Sequence, residues 1–281
     1  MENIAFTYKM LGIVTLYNPD KEQALANIRL YHDCLDMLIV WDNSSDCHKE
    51  WFEGTERCLY HWTGDNSCIA PAINYAWRHA VEHEYDLLLV MDEDSQWTDF
   101  MAYRKDIERM QAQGKDHLYT PYVEGCDTFR IEHDIHEKRV LINSGTVIPT
   151  TILTAIGGIN EDAFPLDALD HDISYSAQEN GYDILCLTRH KLSHSLGYPK
   201  CLGPFRLFTP DYNSFRTYHM TRSHIICYRK HRALMTSEDK DYLYKEILLR
   251  KFARIILAEP DKVNRLRAFI KGITQGITYK L

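Results

Sequence analysis

The sequence predicts an α/β fold in which a mostly parallel sheet is flanked by helices and followed by a helical C-terminal extension. Over residues 10–123, short apolar runs typical of buried strands alternate with segments of helical periodicity. Alternation of this kind favours right-handed crossovers, which make successive strands parallel and place helices on the faces of the sheet. From residue 211 onward the pattern is helical only. We therefore expect an α/β domain over 1–205 and a basic helical extension over 206–281.

The elements can be assigned in chain order. The first apolar run ends at Asn18-Pro19, as a buried strand entering a loop would, and Gly181 suits the position after a helix. The segment 124–140 is polar and predicts an exposed connection. Strands are expected at 10–17, 37–41, 58–62, 86–91, 117–123 and 140–149, and helices at 20–34, 69–83, 97–113, 167–180, 215–233, 239–257 and 262–273.

Composition excludes several classes of protein. With 45% apolar and 26% charged residues, the chain is neither disordered nor fibrous. It has no apolar run of 18 residues and no basic segment before a cleavable apolar stretch, so we expect a cytoplasmic location. The eight cysteines form no CxxC pair, which argues for free thiols. The absence of GxGxxG and GxxxxGK[ST] patterns gives no support to a dehydrogenase or a P-loop ATPase.

Charge is distributed unevenly along the chain. The net charge of −8 argues against nucleic-acid binding, but residues 1–199 carry 15 Lys/Arg against 33 Asp/Glu, and residues 200–281 carry 17 against 7. A basic tail on an acidic body indicates either attraction to an anionic surface or charge complementarity between two packed parts.

Polar residues follow several of the predicted strands. In open α/β sheets, ligands bind beyond the carboxyl ends of the strands, so segments 15–18, 42–45, 64–66 and 92–95 should converge. One of these segments is strongly acidic, because a buried strand ends in Asp92-Glu93-Asp94. Burying such acids is costly unless they are solvated, hydrogen-bonded or bound to a cation, and hard divalent cations prefer oxygen ligands.

The motifs together resemble a known family. The first half contains Thr15–Pro19, Trp41–Ser45, Gly64–Asn66 with Ile69–Asn74, and Met91–Ser95. The second half contains Asn143–Thr146, Ile156–Asn160, Phe164–Asp172, Asn180–Tyr182, His194–Gly197 and Arg216–Arg222. In this order, over residues 10–230, the chain resembles family 2 glycosyltransferases, and within them the bacterial rhamnosyltransferase-like branch.

The resemblance implies a GT-A fold and an inverting, metal-dependent transfer of a sugar from a nucleoside diphosphate donor to a hydroxyl of a glycan or lipid-linked acceptor. It suggests rhamnose from a dTDP- or UDP-linked donor, in the synthesis of cell-surface polysaccharide. By the same resemblance, Asp170 is the catalytic base and Asp172 supports it. Mg²⁺ or Mn²⁺ would be held by Asp92, Asp94 and His194. Asp42 would recognise the nucleobase of the donor. The nucleotide-sugar-binding residues would be Thr15, Tyr17, Asn18, Asp42, Asn66, Asn74, Asp92 and Glu93.

Two positions depart from the family pattern. Cys68 stands where the family usually has glycine, which would narrow the donor pocket if that glycine allows close approach of the backbone. Ser176 stands where the family usually has arginine. These departures leave open an inactive nucleotide-sugar-binding or scaffolding module of the same fold. A nucleotidyltransferase is a further alternative, but its basic, glycine-rich phosphate loop is replaced here by residues 17–20.

The basic tail has two interpretations. Its cationic residues are interleaved with Ile, Leu and Phe, as in helices that lie on the inner face of an anionic membrane, where a lipid-linked acceptor is found. Alternatively, the tail is an appendage that packs on the catalytic domain or mediates formation of a homodimer.

Overall fold

The computed structural model describes residues 6–194, 200–202 and 207–281. The described residues form two compact units. The first unit is formed by described residues within Met1–Gly158 and Ala177–Ser195. The second is formed by described residues within Ile159–Ser176 and Leu196–Leu281. The expected boundary at residue 205 lies outside the described residues and stays a prediction. Residues 159–176 belong to the same compact unit as the C-terminal helices.

The first unit is built on a nine-stranded mixed sheet of order β3-β2-β1-β4-β8-β6-β9-β5, with β7 also paired to β9. Strands β3, β2, β1 and β4 are parallel to one another, as are β6 and β9, whereas β8, β5 and β7 pair antiparallel. The strands are β1 Met10–Leu16, β2 Met37–Asp42, β3 Cys58–Trp62, β4 Leu87–Asp92, β5 Gln96–Trp97, β6 Leu118–Glu124, β7 Ile135–Lys138, β8 Val147–Pro149 and β9 Ile184–Ser193.

Helices pack on this sheet, as the alternating pattern predicts. Helix α2 contacts β1 and β4, α3 contacts β9, and α4 contacts β8. The early helices are α1 Lys21–Arg29, α2 Ala70–Glu82, α3 Phe100–Gln111, α4 Thr150–Ile156 and α5 Leu169–Glu179. The central strands β1 and β4 are buried along nearly their whole length, because continuous apolar runs are covered on both faces. The prediction of an α/β fold is confirmed.

Three local predictions were wrong. Strand β8 occupies only the last three residues of the run predicted at 140–149, because the segment before it turns at Gly145 with a φ of +82°. The helix predicted from residue 97 begins at Phe100, since the side chain of Asp99 caps it by accepting from the backbone N–H of Ala102. The connection at 124–140 contains β7, which pairs with β9.

Gly158 fixes a close approach between the end of α4 and α2. Its φ is +73°, and a Cβ atom at this position would lie 2.5 Å from the ring of Trp77 and 2.9 Å from Oδ1 of Asn74. The preceding Gly157 has a similar φ of +77° but open space around it. Of these two glycines, only Gly158 therefore combines a left-handed backbone with a steric requirement for glycine.

The second unit is mainly helical. Its two short strands, β10 Lys200–Leu202 and β11 Leu207–Thr209, pair antiparallel. The helices are α6 Ser214–Lys230, α7 Ser237–Asp241, a π-helical segment Tyr242–Arg250, α8 Lys251–Leu257 and α9 Lys262–Thr278. The prediction of a helical C-terminal region is therefore confirmed for the described residues.

Helices α6 and α9 pack closely through two glycines of α9. A Cβ atom on Gly272 would lie 2.8 Å from the carbonyl oxygen of Tyr218, and one on Gly276 would lie 2.9 Å from Cβ of Ile225. Among the described residues, no helix is both long and apolar enough to cross a membrane.

A buried ionic network joins α8 to α9. Nζ of Lys251 lies 3.1 Å from both carboxylate oxygens of Glu259, and Nη1 of Arg265 lies 3.1 Å from Oε2 of the same residue. Arg265 also donates to Asp211 at 2.6 Å. Two of the basic residues of the tail thus neutralise acids inside the second unit.

Candidate functional site

The carboxyl ends of the parallel strands meet at one edge of the sheet. Thr15, near the end of β1, pairs with Trp41 of β2 on one side and with Asp92 of β4 on the other. The backbone N–H of Asn18 donates to Oγ of Ser44 at 2.9 Å, which joins the loops that follow β1 and β2. The expected convergence is therefore observed for the ends of β1, β2 and β4 within the first unit.

Asp92, Asp94 and His194 form a possible metal site at this edge. Each is half-buried and offers one ligand atom, and the three atoms lie within 4.8 Å of one another. Oδ1 of Asp94 is 3.2 Å from Nδ1 of His194 and is a buried oxygen without a hydrogen-bond donor of suitable geometry among the described residues. Two carboxylates and one imidazole suit Mn²⁺, and the carboxylates also suit Mg²⁺.

Two serines form hydrogen bonds with these candidate ligands. Ser95 and Ser144 are both fully buried. Oγ of Ser144 donates to Oγ of Ser95 at 2.7 Å and accepts from the backbone N–H of Asp92 at 3.1 Å. Oγ of Ser95 is 2.8 Å from Nδ1 of His194. Because such contacts orient metal ligands, the serines fix the position of Asp92 and the ring of His194. Both lie in motifs quoted above, but the sequence alone gave no reason to assign them this role.

The electrostatics of the edge favour a bound cation. Burial, together with the charges of Asp92 and Asp94, raises the pKa of Glu93 to about 8. Burial disfavours the charged form of His194, but contact with Asp94 and the charges of Asp92 and Glu93 outweigh it and raise the pKa of His194. Excess negative charge thus protonates the surrounding groups, and a divalent cation would relieve the same repulsion.

A cavity of about 600 Å³ opens beside the possible metal site. Asp94, His194, Gln23, Asn27 and Glu124 are among the residues that line it. The amide of Asn27 also donates to the backbone carbonyl of Glu93 at 2.8 Å, so α1 is joined to the acidic loop. The volume is sufficient for a small polar ligand next to the cation ligands.

Asp42 is held by protein groups at the end of β2. Its side chain is fully buried, and its oxygens accept from the backbone N–H of Ser44 at 2.9 Å, from the hydroxyl of Tyr60 at 2.6 Å and from His48 at 2.8 Å. Burial alone would raise the pKa of Asp42, but these hydrogen bonds hold it below its ordinary value. Asp42 therefore organises the loop that follows β2, and its role in reading the base stays a prediction.

The other predicted nucleotide-binding residues differ in exposure. Thr15 and Asn74 are buried, Tyr17 is 52% exposed, and Asn66 is exposed and accepts from the backbone N–H of Cys68 at 2.9 Å. A ligand could reach the side chains of Tyr17 and Asn66 without rearrangement of the chain.

Cys68 adopts a backbone conformation that is more favourable for glycine than for cysteine. It is buried and has a φ of +69°, in the left-handed region that is unfavourable for most side chains. Its carbonyl oxygen accepts from the side chain of Asn43 at 2.8 Å, which anchors the strained residue to the loop after β2. Cys68 therefore introduces conformational strain at this position.

The predicted catalytic base lies in the second unit. Asp170 is in the first turn of α5 and accepts the backbone N–H of His171 at 2.9 Å. Burial raises the pKa of Asp170, an effect opposed by its hydrogen bonds to the backbone and by His224 and Arg216. The nearby Asp167 also has a pKa raised by burial, although Arg216 contacts it. An ionised Asp170 would thus be a stronger proton acceptor than an exposed aspartate.

Asp172 is engaged elsewhere. It is 2% exposed, and its Oδ1 lies 2.7 Å from Nζ of Lys230 and 2.8 Å from Nε2 of His231. Residues two apart on a helix do not face each other, so Asp172 points away from Asp170 and ties α5 to the end of α6. Ser176, where the family has arginine, lies 3.4 Å from the same Lys230. The supporting role of Asp172 stays a prediction, and the observed contacts favour packing.

A second cavity, of about 280 Å³, lies within the second unit beside α5. Its lining includes His171, His224, Tyr175, Tyr228 and Tyr242. Burial lowers the pKa of both histidines to about 4, so they are neutral at neutral pH. The rings of His171 and Tyr242 stack with their centroids 5.5 Å apart. The cavity therefore combines aromatic faces with the acidic residues Glu238 and Asp239, which also line it.

The motif His194–Gly197 is described only at His194, since residues 195–197 lie outside the described residues. No protein-family description matches the sequence, and no curated protein matches it.

Solved structures do share the fold. GalNAc-T7, solved with UDP, GalNAc and Mn²⁺, matches 99% of this chain with a TM-score of 0.62 at 10% identity. The chain spans 57% of that protein's length. The 1–349 fragment of S. aureus TarS matches 94% of this chain and 81% of its own length at 15% identity, with TM-scores of 0.59 in the UDP-GlcNAc complex and 0.57 in the UDP complex. These neighbours are GT-A-like glycosyltransferases, so the chain has the fold of that group.

Proposed function

We propose that the protein is a glycosyltransferase that uses a nucleoside diphosphate sugar and a divalent cation. The proposal depends most on the grouping of Asp92, Asp94 and His194 at the carboxyl edge of a GT-A-type sheet. The neighbours were solved with UDP, with UDP-GlcNAc, and with UDP, GalNAc and Mn²⁺, which supports the class of donor and of cation.

The ligand set fits Mn²⁺ or Mg²⁺, with Mn²⁺ favoured by the imidazole. A cation at this position would supply Lewis-acid stabilisation of the negative charge on a departing diphosphate. Ser95 and Ser144 would hold the ligands in place, and Asn27 and Gln23 would line the space for the polar part of the donor. Tyr17, Asn18, Asn66 and the loop held by Asp42 would form the nucleotide pocket.

Asp170 is proposed as the base that accepts the proton of the acceptor hydroxyl. Its raised pKa matches this role, because a carboxylate that binds a proton more readily is a better proton acceptor. Attack by the deprotonating hydroxyl on the anomeric carbon, with departure of the diphosphate from the opposite side, would invert the anomeric centre. The aromatic cavity next to His171 would bind a sugar ring of the acceptor through its apolar face.

The finer assignments rest on the family resemblance. We propose rhamnose from a dTDP- or UDP-linked donor, and a glycan or lipid-linked acceptor of cell-surface polysaccharide synthesis. The alternative is a module that binds nucleotide sugars without turnover, which the cysteine at position 68 and the serine at position 176 leave open.

Release of nucleoside diphosphate from a panel of UDP-, dTDP- and GDP-sugars with Mn²⁺ tests the proposal. We expect release from at least one donor, and a loss of at least 10³-fold in Asp170→Asn with donor binding retained. Glu179→Gln, an exposed acid on the same helix, is the control and should keep full activity. Donor binding without release in the unmodified protein would establish the non-catalytic alternative, and release by Asp170→Asn at the original rate would refute the assignment of the base.

A further inference from the structure

Helix α9 is apolar on two opposite faces. Arg265, Phe269, Gly272 and Gly276 are its buried residues, and the two glycines contact α6. At 100° per residue, Val263, Ile270 and Ile277 lie on the opposite side of the helix. They are 62%, 54% and 58% exposed. Packing within the second unit therefore accounts for one apolar face of α9 and leaves the other uncovered by the described residues.

The helix that precedes α9 repeats this arrangement. In the π-helical segment and α8, Leu243, Ile247 and Ile255 are buried. A second set, Leu249, Phe252 and Ile256, falls on the other side and is 66%, 44% and 39% exposed, and within it the ring of Phe252 also packs against Phe269 of α9 with centroids 6.2 Å apart. Together with the exposed residues of α9, this set forms what we call the C-terminal apolar stripes. Scattered exposed apolar residues are common, but two regular stripes on consecutive helices are not.

The same region is strongly basic. Residues 242–281 contain nine Lys/Arg and three Asp/Glu. One of the three acids, Glu259, is buried and already paired with two of the cations. Exposed cations lie beside the stripes on the same helices, namely Lys245, Arg250, Lys262, Arg267 and Lys271, and Lys280 follows the end of α9.

We propose that the C-terminal apolar stripes and their flanking cations form a surface that binds an anionic lipid bilayer. Helices with an exposed apolar stripe beside Lys and Arg lie in the membrane interface, with the apolar side chains among the acyl chains and the cations near anionic headgroups. A second copy of the chain is a poorer partner, because a symmetric contact would place one basic surface against another. The inference does not depend on the proposed glycosyltransferase activity.

Vesicle flotation with the full chain tests this surface. We expect binding to vesicles of phosphatidylcholine and phosphatidylglycerol in a 7:3 ratio, with at least tenfold weaker binding to phosphatidylcholine alone. The triple variant Val263→Gln/Ile270→Gln/Ile277→Gln should bind the anionic vesicles at least tenfold more weakly. Lys262→Gln/Arg267→Gln/Lys271→Gln should do the same, since each cation near such a surface contributes roughly a fivefold change in affinity.

The matched control is Val81→Gln/Ile131→Gln/Ile135→Gln, which removes three apolar residues of 45–50% exposure from the first unit. It should bind like the unmodified protein, and circular dichroism should show that all variants keep their helices. The proposal is overturned if the anionic vesicles are not bound at low salt, or if the stripe variant and the control bind equally. It is also overturned if sedimentation shows a dimer that the stripe variant dissociates while lipid binding is absent. Because no turnover is measured, failure here leaves the proposed activity untouched.

Discussion

Replacing Ser95 by alanine should weaken cation binding although Ser95 is not itself a proposed ligand. Its hydroxyl lies 2.8 Å from Nδ1 of His194 and accepts from Ser144 at 2.7 Å, and the residue is fully buried. The variant therefore removes two hydrogen bonds, one of which orients the imidazole of His194. It leaves all three candidate ligands in the chain.

The size of the effect follows from these contacts. Loss of a group that orients a metal ligand typically lowers metal affinity by about 10- to 100-fold. The unfolding free energy should also fall by about 1–3 kcal/mol. The buried hydroxyl of Ser144 loses its hydrogen-bond acceptor, and the imidazole of His194 loses its hydrogen bond to Ser95. A loss of this size should leave the protein folded at 25 °C if its stability is typical.

Isothermal titration calorimetry with Mn²⁺ is the appropriate assay, run alongside urea unfolding of the metal-free protein. Ser193→Ala is the matched control. Ser193 immediately precedes His194, but its hydroxyl is directed to Glu124 at 3.0 Å. The control should keep Mn²⁺ affinity within about twofold. Equal Mn²⁺ affinity for Ser95→Ala and the unmodified protein would refute the proposed role of the buried serines.

Three further predictions concern the scaffold around the site and can be checked by urea unfolding. Gly158→Ala should cost about 1–3 kcal/mol more than Gly157→Ala, because only the former drives a Cβ atom into the ring of Trp77, and equal costs would contradict the steric argument. Cys68→Gly should be more stable than Cys68→Ala by about 1 kcal/mol, since both remove the thiol but only glycine relieves the left-handed backbone; the reverse order would exclude strain. Asp42→Asn should cost about 1–3 kcal/mol at pH 7. The pKa of Asp42 is lower in the folded than in the unfolded protein, so ionised Asp42 contributes its full stabilisation above the unfolded pKa of about 3.9. This stabilisation is lost as the pH falls through the folded pKa. A destabilisation by Asp42→Asn that is the same at pH 7 and pH 3 would contradict this linkage.

The sheet could be predicted because its central strands carry the simplest signal. Continuous apolar runs such as Leu87–Met91 indicate burial on both faces, and parallel pairing then brings their carboxyl ends to one edge. The position of Asp92 near Thr15 follows from that geometry alone. The proximity of Asp94 to His194 does not, because it depends on β9, which is nearly a hundred residues further along the chain.

Other features depend on tertiary contacts that leave little trace in local sequence. Strand β8 is short because the chain turns at Gly145, and β7 forms because β9 offers it an edge. The role of Ser144 arises only when its loop is placed behind β4. The supporting role of Asp172 is implied by the family resemblance and stays a prediction, whereas its contacts with Lys230 and His231 are known only from the structure.

Asp92, Asp94 and His194 are proposed to hold a divalent cation, which in turn binds a nucleoside diphosphate. The most direct measurement is the affinity for UDP, dTDP and GDP in Mn²⁺ and in EDTA, for the unmodified protein and for Asp94→Asn, with the exposed Glu53→Gln as control. We expect at least one nucleotide to bind tenfold or more tightly in Mn²⁺ than in EDTA, with this difference abolished in Asp94→Asn and retained in Glu53→Gln. Nucleotide affinity that is the same with and without the cation, or a cation dependence that survives in Asp94→Asn, would contradict the account.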